Sequence, residues 1–320
     1  MEISVIIPCY NSFYLMKRCL QSLENQTFKE FEIIIVDDCS QDGSYEKLLD
    51  YKKKNLKKVR VYRSLKNIGA GGARNIGIKY AKGKYLTFCD SDDWYEENFL
   101  ELMYYNITKY KADVIMCNYK KVFENGCSKN VDYVFNFEST TPKEAYIALS
   151  KSSLCLLMVE KDLFKNLQIP NLKNGEDVAI VPVILSKSRC IVSINDFLYN
   201  YYIRNGSQSN KPDIKIQKNL LEAYEYIIDN IEEKYKLEKQ FLGIKIVLYG
   251  VILNCFKAGE RIENICQILN NFNIKNTGWG KNKYLSNLGI VQKVFIKLVK
   301  YRLWVLLWIV SKLHYLYTRR

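Results

Sequence analysis

The chain has 320 residues, 48% hydrophobic and 26% charged, which excludes a disordered or low-complexity polymer and allows one large domain with an appendage. Its net charge of +14 is uneven: no Asp or Glu follows Glu263, and ten Lys and Arg residues from Lys275 to Arg320 carry about +10 of it. An anionic membrane surface suits such a tail, whereas no nucleic-acid recognition motif accompanies the charge. Ten cysteines without a C-x-x-C pair suggest neither a zinc site nor a disulfide framework. Met1-Glu2-Ile3-Ser4-Val5 enters a strand pattern without the charged and apolar regions of a signal peptide, so a cytosolic protein is expected.

Ile3-Ser4-Val5-Ile6-Ile7 and Glu32-Ile33-Ile34-Ile35-Val36 are β-branched runs, and Leu15, Cys19, Leu20 and Leu23 between them keep helical spacing, which predicts a βαβ unit. The alternation continues with a helix near 44–56, a strand over 59–62, a helix near 70–81, a strand over 85–89, a helix near 96–110 and a strand over 113–117. This pattern predicts a mostly parallel sheet with helices on both faces, whose ligands bind beyond the carboxyl ends of the strands. Three polar clusters fall at those ends: Pro8-Cys9-Tyr10-Asn11, Asp37-Asp38-Cys39-Ser40 and Asp90-Ser91-Asp92-Asp93.

Each cluster has two readings. Asp90, Asp92 and Asp93 crowd negative charge that Mg2+ or Mn2+ would offset, with substrate phosphates completing the shell; alternatively Asp92 or Asp93 caps a helix starting near Trp94. Gly69-Ala70-Gly71-Gly72-Ala73-Arg74-Asn75 opens a helix, offering N–H groups and Arg74 to an anion. A dinucleotide fingerprint would follow the first strand, where this chain has Pro8-Cys9-Tyr10-Asn11 instead. Asp37 and Asp38 suit a ribose hydroxyl or base N–H, and Tyr10 a stacked base; an Asx-turn into Asp42-Gly43-Ser44 is the plainer alternative. Glu176-Asp177, after the glycine of Asn174-Gly175 and before an apolar run, reads as a helix start.

From about 118 to 210 the pattern is irregular, and beyond Lys211-Pro212 it is helical, which places a domain boundary there: 1–210 and 211–320. Near the end, Lys293, Lys297 and Lys300 share one helical side and Val291, Val294, Phe295 and Leu298 another. Leu303 to Val310 is apolar throughout but short of the ~20 residues that span a bilayer, so the tail is expected to lie on the membrane surface. Packing of this helix on the core or on a second subunit, in a homo-oligomer, is the alternative.

Val5-Ile6-Ile7-Pro8-Cys9-Tyr10-Asn11, Gln26-Thr27-Phe28, Val36 to Ser44, Asn67-Ile68-Gly69 through Arg74-Asn75, and Asp90-Ser91-Asp92-Asp93 together resemble, in order and spacing, family 2 glycosyltransferases of the GT-A fold. The resemblance covers about residues 1–210. It implies an α/β, Rossmann-like GT-A domain followed by a helical region, and an inverting, metal-dependent hexosyltransferase. The implied donor is a nucleotide-diphospho-sugar, most simply a UDP-sugar, and the implied acceptor a glycan or lipid-linked chain in surface polysaccharide synthesis at the cytoplasmic face of the membrane. By the same resemblance Tyr10 and Asp38 bind the base; Pro8, Asn11, Asp37, Asn67 and Ser91 belong with the donor; Arg74 partners the diphosphate. Asp92 is the main ligand of Mn2+ or Mg2+, Asp90 contacts ribose or metal, and Asp177, beside Glu176, is the catalytic base. Arg204, Ser207 and Ser209 resemble the family's mobile loop. A histidine that some relatives add to the metal shell is missing, because His314 is the sole histidine. Alternatives are a sugar nucleotidyltransferase, which would carry a basic glycine-rich loop after the first strand, and a catalytically idle membrane-surface module.

Overall fold

The structure is a computed structural model and describes residues 1–55, 58–132, 141–204 and 214–317. Strands β1 (Ile3–Cys9), β2 (Phe31–Asp37), β3 (Val59–Arg63) and β4 (Tyr85–Phe88) lie parallel in the order β3-β2-β1-β4, with helices α1 (Lys17–Glu24), α2 (Ser44–Lys54) and α3 (Gly69–Tyr80) as the crossovers. Every residue of β2 is buried, as its unbroken β-branched run requires of a strand covered on both faces. Gly77 lets α3 lie directly on β1: a Cβ there would sit 2.4 Å from the Ile6 side chain.

Beyond β4 the sheet is mixed. Strand β5 (Trp94–Tyr95), helix α4 (Phe99–Lys109), strands β6 (Val114–Phe123) and β7 (Ser128–Val131), helix α5 (Lys143–Leu149), strand β8 (Leu157–Glu160), helix α6 (Glu176–Lys187) and strand β9 (Ile191–Ile203) follow. The sheet runs on from β4 through β8, β6 and β9 to β5, with β8 antiparallel to both neighbours, β6 and β9 parallel, and β7 on the edge of β6. The segment that reads as irregular therefore supplies three strands, β7, β8 and β9, and the second half of β6. Its pattern is obscured because β8 has only four residues and because β6 shifts register against β9 between Met116 and Tyr119. The helix predicted from 96 starts at Phe99, since Trp94 and Tyr95 pair antiparallel with Asn200 and Tyr199.

The C-terminal region is helical: α7 (Ile214–Asn230), α8 (Lys236–Gly243) running through a π-helical stretch Ile244–Val251 into α9 (Ile252–Ala258), then α10 (Ile262–Lys275), α11 (Ile290–Lys300) and α12 (Trp304–Tyr317). One hydrophobic cluster extends from Ile3 to Leu307. Among the described residues one helix, Glu233–Ala258, is long and apolar enough to cross a membrane, and 67% of its apolar window is buried inside the protein. On α11 the buried stripe is Phe295, Ile296 and Val299, whereas Val291 and Val294, expected on the apolar face with Phe295, are exposed. The stripe is turned because Phe295 meets Tyr249 of the π-helical stretch edge-on, with ring centroids 5.4 Å apart.

Candidate active site

The parallel register sets the three polar clusters side by side. Cys9 lies opposite Asp37 and Ile6 opposite Phe88, and the N–H groups of Asp38 and Cys89 donate to the carbonyls of Cys9 and Ile6 at 2.7 and 3.1 Å. All three strands thus end at one edge of the sheet, where backbone direction reverses and side chains become free to face a ligand.

At the β1–β2 corner, Tyr10 presents a half-exposed ring. Asn11 and Cys39 hold left-handed backbone at φ 50° and 64°, an uncommon state for non-glycine residues. Their turns are fastened together: the Asn11 N–H donates to Ser40 Oγ at 2.9 Å, and Asn11 Oδ1 accepts from the Gln41 N–H at 2.8 Å. Asp37 is buried; its Oδ2 meets the Arg63 guanidinium at 3.2 Å and its Oδ1 has no hydrogen-bond partner. Both oxygens of Asp38 are engaged, Oδ1 accepting from Ser64 Oγ and the Ile68 N–H and Oδ2 from the Gly69 N–H. Two N–H groups at the start of α3, expected to be open to a ligand anion, are therefore occupied by the chain's own carboxylate. Asn67, just before them, is exposed.

The glycines of this loop serve packing. A Cβ on Gly71 would lie 2.8 Å from the Pro170 carbonyl oxygen and 3.5 Å from Glu176 Cβ, so only glycine lets α3 approach the segment leading to α6. Asn75 fastens the same segment, exchanging two hydrogen bonds of 2.8 and 2.9 Å with the Ile169 backbone. Gly71→Ala is expected to cost about 1–3 kcal/mol, read as an earlier urea midpoint with unchanged slope.

Arg74 is buried and fans out to three carboxylates: Nη2 donates to Asp90 Oδ1 at 2.7 Å, and Nη1 to Glu176 Oε1 at 3.0 Å and Asp177 Oδ1 at 3.5 Å. It ties the end of β4 to the start of α6. Asp177 also accepts the Leu154 N–H at 3.0 Å through Oδ2. Burial pushes the Asp177 carboxyl up to about 7 against the opposing pull of Arg74, with Glu176 and Asp90 adding to the rise.

Asp92 is partly exposed and meets Arg204 at 3.3 Å; burial, then the neighbouring Asp90 charge, raises its pKa. Asp93 caps no helix. It is buried and anchors β9, accepting from Tyr199 Oη at 2.6 Å and the Tyr202 N–H at 2.8 Å. The Asp90 N–H donates to the same Tyr199 oxygen at 3.3 Å. Tyr199 and Ser64 are support residues that the sequence pattern alone does not reveal, and Asn75 lies inside a motif whose pattern does not show its contact with Ile169. Tyr199→Phe is expected to destabilise by about 1–2 kcal/mol in thermal unfolding, since it strips a hydroxyl from a buried carboxyl. Ser207 and Ser209 lie outside the described residues.

Asp90 and Asp92 fit a hard divalent cation: both offer carboxylate oxygens at one loop, and their mutual repulsion is what such an ion relieves. Among the described residues no group of three His, Cys, Asp or Glu stands ready as a complete metal shell, so a substrate's oxygens would have to contribute. Beside this loop opens a cavity of about 370 Å3, lined by Asp90, Asp93, Asp177, Tyr199, Tyr119, Tyr201, Lys151, Ser152 and Ser153 among others.

The chain is 32% identical over 81% of its length to glycosyltransferase GlyA of Streptococcus pneumoniae, and 32% identical over 83% to poly(ribitol-phosphate) beta-glucosyltransferase of Bacillus spizizenii. It spans about two fifths of each, 39% and 42% of their lengths. Staphylococcus aureus TarS 1–349 in complex with UDP-GlcNAc superposes with a TM-score of 0.72 at 23% identity, covering 98% of this chain and 91% of that one, which shows the shared GT-A fold. The family model for glycosyl transferase family 2 matches residues 4–164, half of the chain, and the chain belongs to that family.

Proposed function

We propose that the chain transfers a sugar from a nucleotide-diphospho-sugar, a UDP-sugar in the first instance, to a glycan or lipid-linked acceptor of a bacterial surface polysaccharide, with inversion. The observation that carries this is Asp177: a carboxyl held by Arg74 and the Leu154 N–H, opening on the same cavity as Asp90 and pushed up to about 7. A base with that pKa accepts a proton at neutral pH and can be recharged there. Tyr10 offers its ring to the base, and Asp37 and the turns through Asn11 and Ser40 shape the nucleoside corner. The acceptor hydroxyl loses its proton to Asp177 as its oxygen bonds to the anomeric carbon, and the bond from that carbon to the diphosphate breaks on the opposite face. Asp90 and Asp92 would hold Mg2+ or Mn2+, whose charge offsets that of the departing diphosphate. Arg204, 3.3 Å from Asp92, would add a second positive charge there. Incubation with a panel of UDP-sugars, Mn2+ and lipid-linked acceptors, following UDP release and the anomer formed, tests the reading. A retained anomeric configuration, or no acceptor-dependent UDP release with any donor, would overturn it.

We also infer attachment to the cytoplasmic face of an anionic membrane through α11 and α12. Val291, Val294, Val305, Trp308, Ile309 and Leu313 are exposed apolar side chains, and Lys293, Lys297, Lys300, Arg302 and Lys312 lie among them with no acidic residue after Glu263. Apolar and basic groups so interleaved match the headgroup boundary. Deleting the tail is a poor test because Phe295, Val299 and Leu307 are core residues. The double substitution Trp308→Glu and Val305→Glu touches exposed positions. It is expected to lower co-sedimentation with phosphatidylglycerol vesicles at least about tenfold; unchanged sedimentation, or loss of a homodimer in its place, would sink the membrane assignment.

A further inference from the structure

The helical region carries two adjoining cavities, of about 340 and 250 Å3, that share Trp279, Gly280 and Lys300. Both are lined by α11 and by the turns that follow α10. Lys293, Ile296, Lys297 and Lys300 are spaced to fall on one face of α11; Ile296 is buried, and the three lysines line the cavities. The floor is apolar: Trp279 is buried, its Nε1 fixed on Asn273 Oδ1 at 2.8 Å, with Leu285 and Leu288 beside it. Gly280 leaves room for the lysine arm, since a Cβ there would lie 3.2 Å from Lys300 Nζ. Arg302, in left-handed backbone at φ 54° between α11 and α12, turns its guanidinium back to Asn270 Oδ1 at 2.8 Å, where it lines the larger cavity with Lys281.

The charge of this wall is not neutralised. Among the described residues Lys281, Lys293, Lys297, Lys300 and Arg302 form no ion pair, whereas Lys275 and Lys283, close in sequence, pair with Glu225 and Glu238. Lys293 and Arg302 donate to neutral oxygens, the Ser286 carbonyl and the Asn270 amide. A cationic rim over an apolar floor fits an amphiphile with a negative head. A free phosphate would meet the rim and leave Trp279, Leu285 and Leu288 unused; a neutral lipid would do the reverse.

We propose that the two cavities form one site for an anionic glycerophospholipid of the membrane, its phosphate against Lys281, Lys300 and Arg302 and the first carbons of an acyl chain over Trp279, Leu285 and Leu288. The surface around the site supports that occupant: Val294 and Tyr301 on either end of the lysine face are exposed, and the exposed apolar residues continue through Leu303 into Val305 of α12. The proposal rests on the membrane reading of α11 and α12 and replaces a diffuse attraction with a defined headgroup contact. None of these residues lines the cavity of Asp177, so the site is separate from the transfer chemistry.

The test measures binding of dihexanoyl phosphatidylglycerol, dihexanoyl phosphatidylcholine and inorganic phosphate to the full chain by calorimetry, with the lipids kept below micelle formation. Sedimentation with phosphatidylglycerol vesicles is the parallel readout. Phosphatidylglycerol is expected to bind more tightly than either other probe. Lys300→Gln, at an exposed position without an ion pair, should weaken it about tenfold, the scale of one charged hydrogen bond, while Lys300→Arg keeps it. Lys312→Gln, which removes the same charge from α12, should leave it intact. If phosphatidylcholine or inorganic phosphate binds as tightly as phosphatidylglycerol, or if Lys300→Gln and Lys312→Gln weaken it equally, the lipid site falls, while vesicle sedimentation of the unaltered chain keeps the membrane reading. Failure of the unaltered chain to sediment with the vesicles would overturn that reading and this proposal with it.

Discussion

Asp177→Asn is expected to lower acceptor-dependent sugar transfer by about three orders of magnitude while leaving UDP binding within a factor of two or so, because a positioned base contributes 10²–10⁴-fold. Asparagine keeps the side-chain oxygen that accepts the Leu154 N–H at 3.0 Å but cannot take a proton. With its oxygen on the Leu154 N–H, the amide turns its NH2 toward Arg74 and loses that ion pair, so urea unfolding measured alongside separates lost proton transfer from lost stability. The unaltered enzyme should show transfer rising with pH through about 7, the value to which burial lifts Asp177. The sign follows from the chemistry: only the deprotonated carboxylate accepts the hydroxyl proton, so the acid limb carries this group. Stability runs the other way. A carboxyl whose folded pKa lies above its unfolded value stabilises fully below about 4 and loses that contribution as pH rises through about 7. Catalytic gain and loss of stability thus share one titration. A pH-rate profile flat from 6 to 8, or an Asp177→Asn variant within tenfold of normal transfer, would remove Asp177 from the role.

How far the site is legible in the sequence depends on the separation of the partners. Strand ends are legible, because Ile3 to Ile7 and Ile33 to Val36 are short runs whose pattern breaks at polar residues, and parallel neighbours must end on the same edge. The start of α6 at Glu176 is legible for a similar local reason, a glycine before an acidic pair. What the acids do is less so. Asp93 suits a helix cap locally, yet its partner Tyr199 is 106 positions away, brought in by the pairing of β5 with β9. Arg74 is legible as a cation in a glycine-bearing helix start, but its Glu176 partner, 102 positions away, is not. Side-chain partners set by register over such distances leave no periodic trace. The tail shows the same limit: spacing predicts an amphipathic helix, but only the Phe295–Tyr249 contact decides which apolar residues turn inward.

Arg74→Met should be the most damaging change for the folded state, costing about 3–5 kcal/mol, the range for removing one partner of a buried ion pair. Its side chain is 3% exposed and serves Glu176 and Asp177, which are 15% and 22% exposed; Asp90, at 40%, has water to fall back on and adds little to the loss. Methionine fills the space and leaves the two more buried carboxylates facing each other without a cation. With the attraction of Arg74 gone, the Asp177 carboxyl binds its proton more tightly still. The deficit relative to the unaltered protein should therefore be larger at pH 8, where folding must hold the charge or take up a proton, than at pH 6, where the group is neutral in the folded state. Urea unfolding at the two pH values measures this directly. Arg74→Lys distinguishes charge from geometry: an ammonium restores one positive charge but cannot span Asp90 and Glu176 with a rigid fork. It should recover part of the stability while transfer stays depressed, because Asp177 and the Asp90 loop are then no longer held in register with each other. An equal deficit of Arg74→Met at both pH values would show that the carboxylates had found water, and that Arg74 orders the site without neutralising it.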